Sequence, residues 1–367
     1  MKVVVAGGGT AGHVFPVLAL ADRLSEHGAT VRFVGSADGQ EAVLVPAAGY
    51  EFRSVRAQKM VRSLTIDTVR APFVALRSVR SCRPLVADAD VVVGIGGYVS
   101  APAVLAVRRA RTKIVLVEPN AVPGLANRLL ARRADAIAIA FEDARSRFSP
   151  RVRTRLTGNP VRERIVSVPR DRAALAEEAW PVLGLERDRR TVVVFGGSQG
   201  ALTLDRVVAG AVALLRDRDD LQLFVAAGSA HHNVVAHAAR DSGKLLVRVV
   251  PFLERMELAL AVADMAVSRS GAGHVAELAV CGVPAILVPY PHATENHQEA
   301  NARELARAGA AELMLEGALS PSLLAERIGS LVDDEDRRRT MSEAARTWSK
   351  PDAAERLAGL VTEVAAA

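Results

Sequence analysis

The stretch Val3 to Pro16 reads VVVAGGGTAGHVFP, and in it Gly7-x-Gly9-x-x-Gly12 places three glycines directly ahead of a histidine, His13. Glycines between a strand and a helix let the main chain come close to a ligand, and the helix start offers unpaired N–H groups and positive potential to a phosphate. That physics serves a dinucleotide, a sugar nucleotide or another phosphate equally. The same positive potential disfavours an imidazolium, so His13 is held as the neutral base that can accept a proton; read as plain structure, it caps or packs the helix start. A dinucleotide site also requires an acid about 20 residues further on, at the end of the second strand. That strand ends RFVGSADG, where Asp38 comes late, beyond Gly35 and Ser36, and the dehydrogenase reading is set aside.

A second cluster follows a later apolar run, SRSGAGHVAEL from Ser268 to Leu278. Ser270, Gly271, Ala272 and Gly273 open a helix whose amides suit a diphosphate, and Glu277 lies one turn from His274 on the same face. The plain alternative is a small-residue turn with an exposed glutamate. Two literal DxD strings, Asp88-x-Asp90 and Asp217-x-Asp219, invite a metal-dependent sugar transferase. Each precedes a strand, where acids mark solvated turns, and no metal site is assigned. Neither HExxH nor a P-loop occurs, which removes the metalloprotease and P-loop readings.

The elements that must carry these residues are short buried strands at Val3–Val5, Thr30–Val34, Val91–Gly94, Ile114–Val117 and Ala136–Ala140, alternating with helices such as Phe15–His27 and Ser100–Arg111. The pattern restarts at Thr191–Phe195 and continues through Leu221–Ala226, Leu246–Val249, Met265–Ser268 and Ala285–Val288. VVVAGGGTAGHV and VVVFGGSQGALT repeat the order strand, glycine turn, helix start. The expected fold is α/β, two Rossmann-like parallel-sheet domains facing a cleft. Residues 1–161 form the first and 162–349 the second, with a break near TGNPVRERIVSVP and a last helix, about 350–367, packing back on the first.

Composition narrows the partners. Of 367 residues, 50% are hydrophobic and 24% charged, as in a folded globular protein. Two distant cysteines, Cys82 and Cys281, make neither a disulfide framework nor a zinc cluster. The apolar start is too short for a signal peptide, and no run spans a bilayer. A net charge of +6 suits phosphorylated ligands or an anionic bilayer, while 4% aromatics leave no ladder for stacking bases, so nucleic acid is excluded.

In order, the segments GGGTAGHVFPVLALADRL, GIGGYVSAP, NAVPGLANRLLAR, TGNPVRE, FGGSQGA, SRSGAGHVAEL, GVPAILVPYP and NHQEANA run the length of the chain. Together they resemble the GT-B glycosyltransferases. Among these, the chain is similar to the family of inverting transferases that move N-acetylglucosamine (GlcNAc) from UDP-GlcNAc to lipid I, giving lipid II for peptidoglycan. The resemblance implies that UDP-GlcNAc lies on the second domain, with Leu253 at the uracil, Glu277 on the ribose and Ser270, Gly271, Ala272, Gly273 and His274 at the diphosphate. Ser198 and Arg162 would also face the phosphates, and Asn120, His297 and Gln298 the sugar. His13 would be the base for the acceptor C4 hydroxyl, and Gly9, Thr10, Ala11, Gly12 and His13 the acceptor diphosphate loop. No cofactor or catalytic metal is implied. The chain departs from the family pattern at Ala11, at Pro119 and in VRAQKMVRSL, which leaves a transferase for a different acceptor as the alternative, and a UDP-GlcNAc 2-epimerase behind it.

One basic stretch carries Arg53, Arg56, Lys59, Arg62, Arg70, Arg77, Arg80 and Arg83 with Met60, Val61, Leu64, Ile66, Phe73 and Leu76 among them. It reads either as a surface for anionic lipid or as an amphipathic helix with its apolar face in the core. With a lipid-linked acceptor, the expected location is the cytoplasmic side of the bacterial membrane, peripherally attached.

Overall fold

The computed structural model describes residues 1–8, 11–55, 66–197 and 200–367, and within them all side chains but those of residues 11, 66–75 and 98–99. The chain divides into two compact units, Met1–Arg162 with Lys350–Ala367, and Glu163–Ser349.

The first unit is built on strands β1 (Lys2–Ala6), β2 (Thr30–Ser36), β3 (Glu51–Val55), β4 (Val91–Gly94), β5 (Lys113–Glu118), β6 (Ala136–Ile139) and β7 (Thr154–Leu156). They lie in the order β3-β2-β1-β4-β5-β6-β7, every neighbouring pair parallel. Runs of valine and isoleucine make such strands because both faces of a parallel sheet are covered, so neither face needs polar residues. Successive side chains then serve opposite layers. Val3, Val5, Val91 and Val93 pack under Leu20 and Leu24 of the helix Ala11–Glu26 and Leu357 and Val361 of the closing helix Ala353–Ala366. Val4, Val92, Ile114 and Leu116 pack on the other face against Cys82, Val86 and Val104.

The second unit repeats the plan with β8 (Arg190–Phe195), β9 (Leu221–Ala226), β10 (Leu246–Val250), β11 (Met265–Ser268), β12 (Ala285–Leu287) and β13 (Ala311–Leu313), in the order β10-β9-β8-β11-β12-β13. Each sheet reverses its winding once, between β1 and β4 and between β8 and β11. In open α/β sheets, the crevice outside the strand carboxyl ends at such a reversal is where ligands bind.

Helix bounds differ from the reading of the sequence. The helix expected at Ser100–Arg111 runs from Gly97 to Ala106, because Gly96 (φ 78°) turns the chain into it and Val107 is already extended (φ −62°, ψ 131°). Asp88 and Asp90 are fasteners of the strand starts. Asp88 pairs with Arg32 and with Lys2 Nζ at 3.3 Å, and Asp90 Oδ2 accepts the Lys2 N–H at 2.7 Å. Those partners hold Asp88 below the usual carboxylate range, the Arg32 hydrogen bond most of all.

Candidate functional site

In the first unit His13 follows β1 and Asn120 follows β5, two strands of one parallel sheet. His13 is half-buried in the first turn of the helix Ala11–Glu26. Two residues on, the Phe15 ring lies under the Arg162 guanidinium, whose Cζ is 4.4 Å from the ring centroid. The geometry therefore puts Arg162 in the first unit, on the helix that carries His13. A cation over an aromatic face is attracted by the ring quadrupole, by about 0.5–2 kcal/mol depending on desolvation, which orients the guanidinium.

Asn120 follows β5, and its position is governed by a residue that spacing did not single out. Glu118, the last residue of β5, is 1% exposed, and its carboxylate gathers the loop behind it. Oε1 accepts the Asn120 N–H at 3.0 Å and Asn120 Nδ2 at 3.4 Å; Oε2 accepts the Gly124 N–H at 3.0 Å and Asn127 Nδ2 at 2.9 Å. Asn127 Nδ2 also donates to the Val117 carbonyl at 2.9 Å. Burial pushes the Glu118 carboxyl above its ordinary value, with these hydrogen bonds pulling the other way. The acid was in plain view in Glu118-Pro119-Asn120; an acid ending an otherwise apolar strand is the signal that marks it.

Glu41 is a second buried acid, 1% exposed, and its Oε1 accepts the Ser36 N–H at 2.8 Å. It fills the space beside the opening glycines: a Cβ on Gly8 (φ +152°) would stand 2.1 Å from Glu41 Cδ.

In the second unit the described candidate residues follow β10, β11 and β12. The helix Ala272–Cys281 starts at Gly271, and His274 in its first turn packs edge-on against Phe195, with ring centroids 5.0 Å apart. His274 Nδ1 donates to the Arg269 carbonyl at 3.2 Å, since a carbonyl can only accept, and this fixes the ring. Glu277 is half-buried one turn further on, and Leu253 is half-buried in the connection after β10. The Ser270 hydroxyl donates to the Gln298 carbonyl at 2.8 Å, and Asn301 Nδ2 to the Ser270 carbonyl at 3.1 Å. Ser270 thus joins the turn that opens the helix Ala272–Cys281 to the helix His297–Arg307. Gln298 Oε1 accepts the Tyr290 N–H at 3.0 Å, which leaves its NH2 to address a ligand.

His297 Nδ1 donates to the Thr294 carbonyl at 2.7 Å, and burial lowers the pKa of its ring, favouring the neutral form. Just before it, Glu295 (φ 56°) and Asn296 (φ 53°) both adopt the left-handed conformation. For residues with a Cβ this costs about 1–3 kcal/mol each, and such strain collects where a site needs a fixed backbone. No glycine marked this turn.

Gly9, Thr10 and Ser198 lie outside the described residues, as do Arg56, Lys59 and Arg62; the Ala11 and Arg70 side chains are likewise not described. Arg77, Arg80 and Arg83 are exposed on the helix Ile66–Val86, while Cys82 and Val86 of the same helix are in the core, so its apolar face is partly structural. Among the described residues, no cluster of three or more His, Cys, Asp or Glu is arranged to hold a metal, and no helix is long and apolar enough to cross a membrane.

Residues 3–139 match the glycosyltransferase family 28 N-terminal domain, and residues 191–357 the glycosyltransferase family 28 C-terminal domain. The chain is 36% identical, over 100% of its length and 99% of the relative's, to the UDP-N-acetylglucosamine--N-acetylmuramyl-(pentapeptide) pyrophosphoryl-undecaprenol N-acetylglucosamine transferase of Halothermothrix orenii. The protein of the same name from Lactiplantibacillus plantarum is 36% identical over 97% of this chain and 98% of its own. Among solved structures, MurG of Acinetobacter baumannii superposes with a TM-score of 0.79 at 29% identity, covering 99% of each chain.

Proposed function

The chain belongs to glycosyltransferase family 28, among the N-acetylglucosamine transferases just described, and from that premise we propose that it transfers GlcNAc from UDP-GlcNAc to the C4 hydroxyl of the N-acetylmuramyl sugar of lipid I, forming lipid II. The observation that carries the reading is the full-length identity of 36% to such a transferase, with the described candidate donor residues of the second unit following β10, β11 and β12.

The division of labour follows from the chemistry. The acceptor oxygen attacks the anomeric carbon of GlcNAc, the bond from that carbon to the phosphate oxygen breaks, and UDP departs with the electron pair, which inverts the configuration. His13 takes the hydroxyl proton; its place in the first turn of a helix favours the neutral imidazole needed for that. The Gly9–His13 loop takes the acceptor diphosphate. Negative charge grows on UDP as the bond breaks, and the amides opening the helix Ala272–Cys281, with Ser198, His274 and the Arg162 guanidinium, stabilise it. Glu277 holds the ribose, Leu253 the uracil, and Asn120, His297 and Gln298 the sugar. These groups supply the leaving-group stabilisation without a metal ion.

The acceptor is lipid-linked, so we assign the membrane-facing side to the first unit. Leu76 on the helix Ile66–Val86, Leu105 on the neighbouring helix Gly97–Ala106, and Leu125 and Leu129 on Leu125–Leu130 are all exposed, Leu129 by 71%. Arg77, Arg80, Arg128 and Arg132 are exposed on the same elements and just after them. Apolar side chains for shallow insertion with arginines for anionic headgroups make a peripheral binding surface.

The test is UDP release from UDP-GlcNAc by the purified protein with a lipid I analogue, without acceptor, and with EDTA. Release that needs lipid I and persists in EDTA is expected. Donor binding without lipid-I-dependent release refutes the acceptor and moves the assignment to a transferase for a different acceptor, consistent with the departures at Ala11, Pro119 and VRAQKMVRSL. Consumption of donor without acceptor points to an epimerase.

A further inference from the structure

The mechanism above makes no use of Asp205. This aspartate stands in the first turn of the helix Leu202–Leu214, is 1% exposed, and has the core residues Leu204, Val207 and Val208 as sequence neighbours. A carboxylate that deep needs a reason, because burial of charge is opposed unless partners compensate. Its Oδ2 accepts the N–H of Ala201 at 3.2 Å. Ala201 caps that helix and ends the glycine loop that follows β8. One residue back, Gly200 is pressed so close to the neighbouring turn that an added Cβ would stand 2.6 Å from the Ala227 carbonyl oxygen and 3.2 Å from His231 Cδ2.

Two basic side chains face Asp205 from neighbouring elements: His231, which caps the helix His232–Ala239, and Arg269, between β11 and the Ser270 turn. Arg269 is bound elsewhere, to Glu316 at 2.5 Å and to the carbonyls of Val288 and Pro289 at 3.2 and 3.1 Å. Burial accordingly prevails, and the Asp205 carboxyl is pushed up to about 6, with the Ala201 hydrogen bond, His231 and Arg269 pulling it down.

We propose that Asp205 is a positioning residue of the donor loop, fixing the loop's last amide and placing a resident negative charge beside the group that the loop receives. The proposal rests on the assignment of UDP-GlcNAc to this unit. An arriving diphosphate meets an ionised carboxylate of like sign, so the bound state favours the protonated acid and binding takes up a proton. Because the complex then holds more protons than the free protein, affinity rises as the pH falls from about 7.5 towards about 5.5, and each unit by which the ligand raises the Asp205 pKa tightens binding up to about tenfold.

The experiment is calorimetric titration of the full chain with UDP-GlcNAc, without acceptor, in pairs of buffers of different ionisation heat. The diester phosphates of this ligand do not titrate near neutrality, so any proton taken up belongs to the protein. Expected are uptake of a fraction of a proton centred near or somewhat above the Asp205 value of about 6, and binding several-fold tighter at low pH. In Asp205→Asn, which keeps an oxygen for the Ala201 amide, most of the uptake is lost and affinity at pH about 7.5 rises towards the low-pH value of the wild type. In His231→Gln, loss of a side chain that pulls the Asp205 carboxyl down moves the uptake to higher pH. Wild-type binding without proton uptake, or undiminished uptake in Asp205→Asn, overturns the proposal. Should Asp205→Asn fail to fold, the wild type and His231→Gln decide it: uptake that does not move refutes the role. Absence of any binding heat refutes the donor assignment itself, a separate result.

Discussion

Replacing Glu118 by glutamine changes one atom and should loosen the loop that carries Asn120. The carboxylate accepts four hydrogen bonds, two at each oxygen, and donates none. Glutamine keeps one oxygen and turns the other into an NH2 that faces donors. If Oε1 is the atom lost, the Asn120 N–H and Nδ2 lose their acceptor; if Oε2, the Gly124 N–H does, while Asn127 Nδ2 keeps the Val117 carbonyl at 2.9 Å. Either way, at least one backbone amide loses a charged acceptor, worth about 1.5–3 kcal/mol. In local opening this corresponds to about 10- to 150-fold weaker protection. The assay is amide hydrogen exchange of the segment 118–127, read beside the kcat and KM of the same protein. Protection should fall at Asn120 or Gly124 and stay unchanged in β1 and β4, with kcat/KM for UDP-GlcNAc reduced. Exchange within about twofold of wild type would refute the argument that Glu118 gathers this loop.

Phe15→Leu removes the ring beneath Arg162, and a loss of about 1 kcal/mol of guanidinium orientation should lower kcat/KM about fivefold; unchanged kinetics would separate this contact from catalysis. Gly158→Ala should lower the thermal midpoint by more than about 2 kcal/mol of stability, since φ is +82° and the new Cβ would stand 2.6 Å from Lys350 Cβ, where the chain enters the closing helix. Leu125→Asp with Leu129→Asp should leave the fold intact and reduce sedimentation with anionic vesicles at least about tenfold; equal sedimentation would place the membrane face elsewhere. His297 titrates lower in the folded chain than its ordinary value because it is buried, so the unfolded chain binds more protons below about pH 6.5. Stability should therefore decline as the pH falls through that region, and His297→Asn should flatten the decline in urea unfolding.

The sheets were readable because their central strands are buried on both faces. VVV at β1, β4 and β8 is in each case a short apolar run that ends in glycines, the pattern of a buried strand leading into a turn. Of the edge strands, only β10 was read, at Leu246–Val249: β3, Glu51–Val55, is mostly solvent-facing, and β7 and β13 have three residues each, too few for a period to register. At the site, residue types and motif order identified the family, and His13, Arg162, Ser270 and Gln298 were named from them. Their contacts were not readable. Glu118 binds groups 2, 6 and 9 residues ahead of it, which only the loop's conformation brings together. The paired left-handed residues Glu295 and Asn296 have no glycine to announce them.

The two glycine loops show why similar strings take different work. Both follow a central strand at a reversal of the sheet, and both precede a helix start, so backbone physics alone gives each an anion site. At the first, Glu41 comes in from beyond the second strand and lies against Gly8, hydrogen-bonded to the Ser36 N–H at 2.8 Å. A dinucleotide fold keeps the acid at that strand's end for the cofactor ribose. Here the nearby acid is 1% exposed and bound to its own main chain. A phosphate resting on Gly8 would meet that resident carboxylate, so an anion is better received further along, towards His13. At the second loop the buried acid is Asp205, one turn inside the helix, so its carboxyl lies behind the loop's last amide, and His231 and Arg269 face it from neighbouring elements. In the proposed mechanism, the position of one carboxylate relative to each glycine turn separates the loop assigned to the base from the loop assigned to the leaving group.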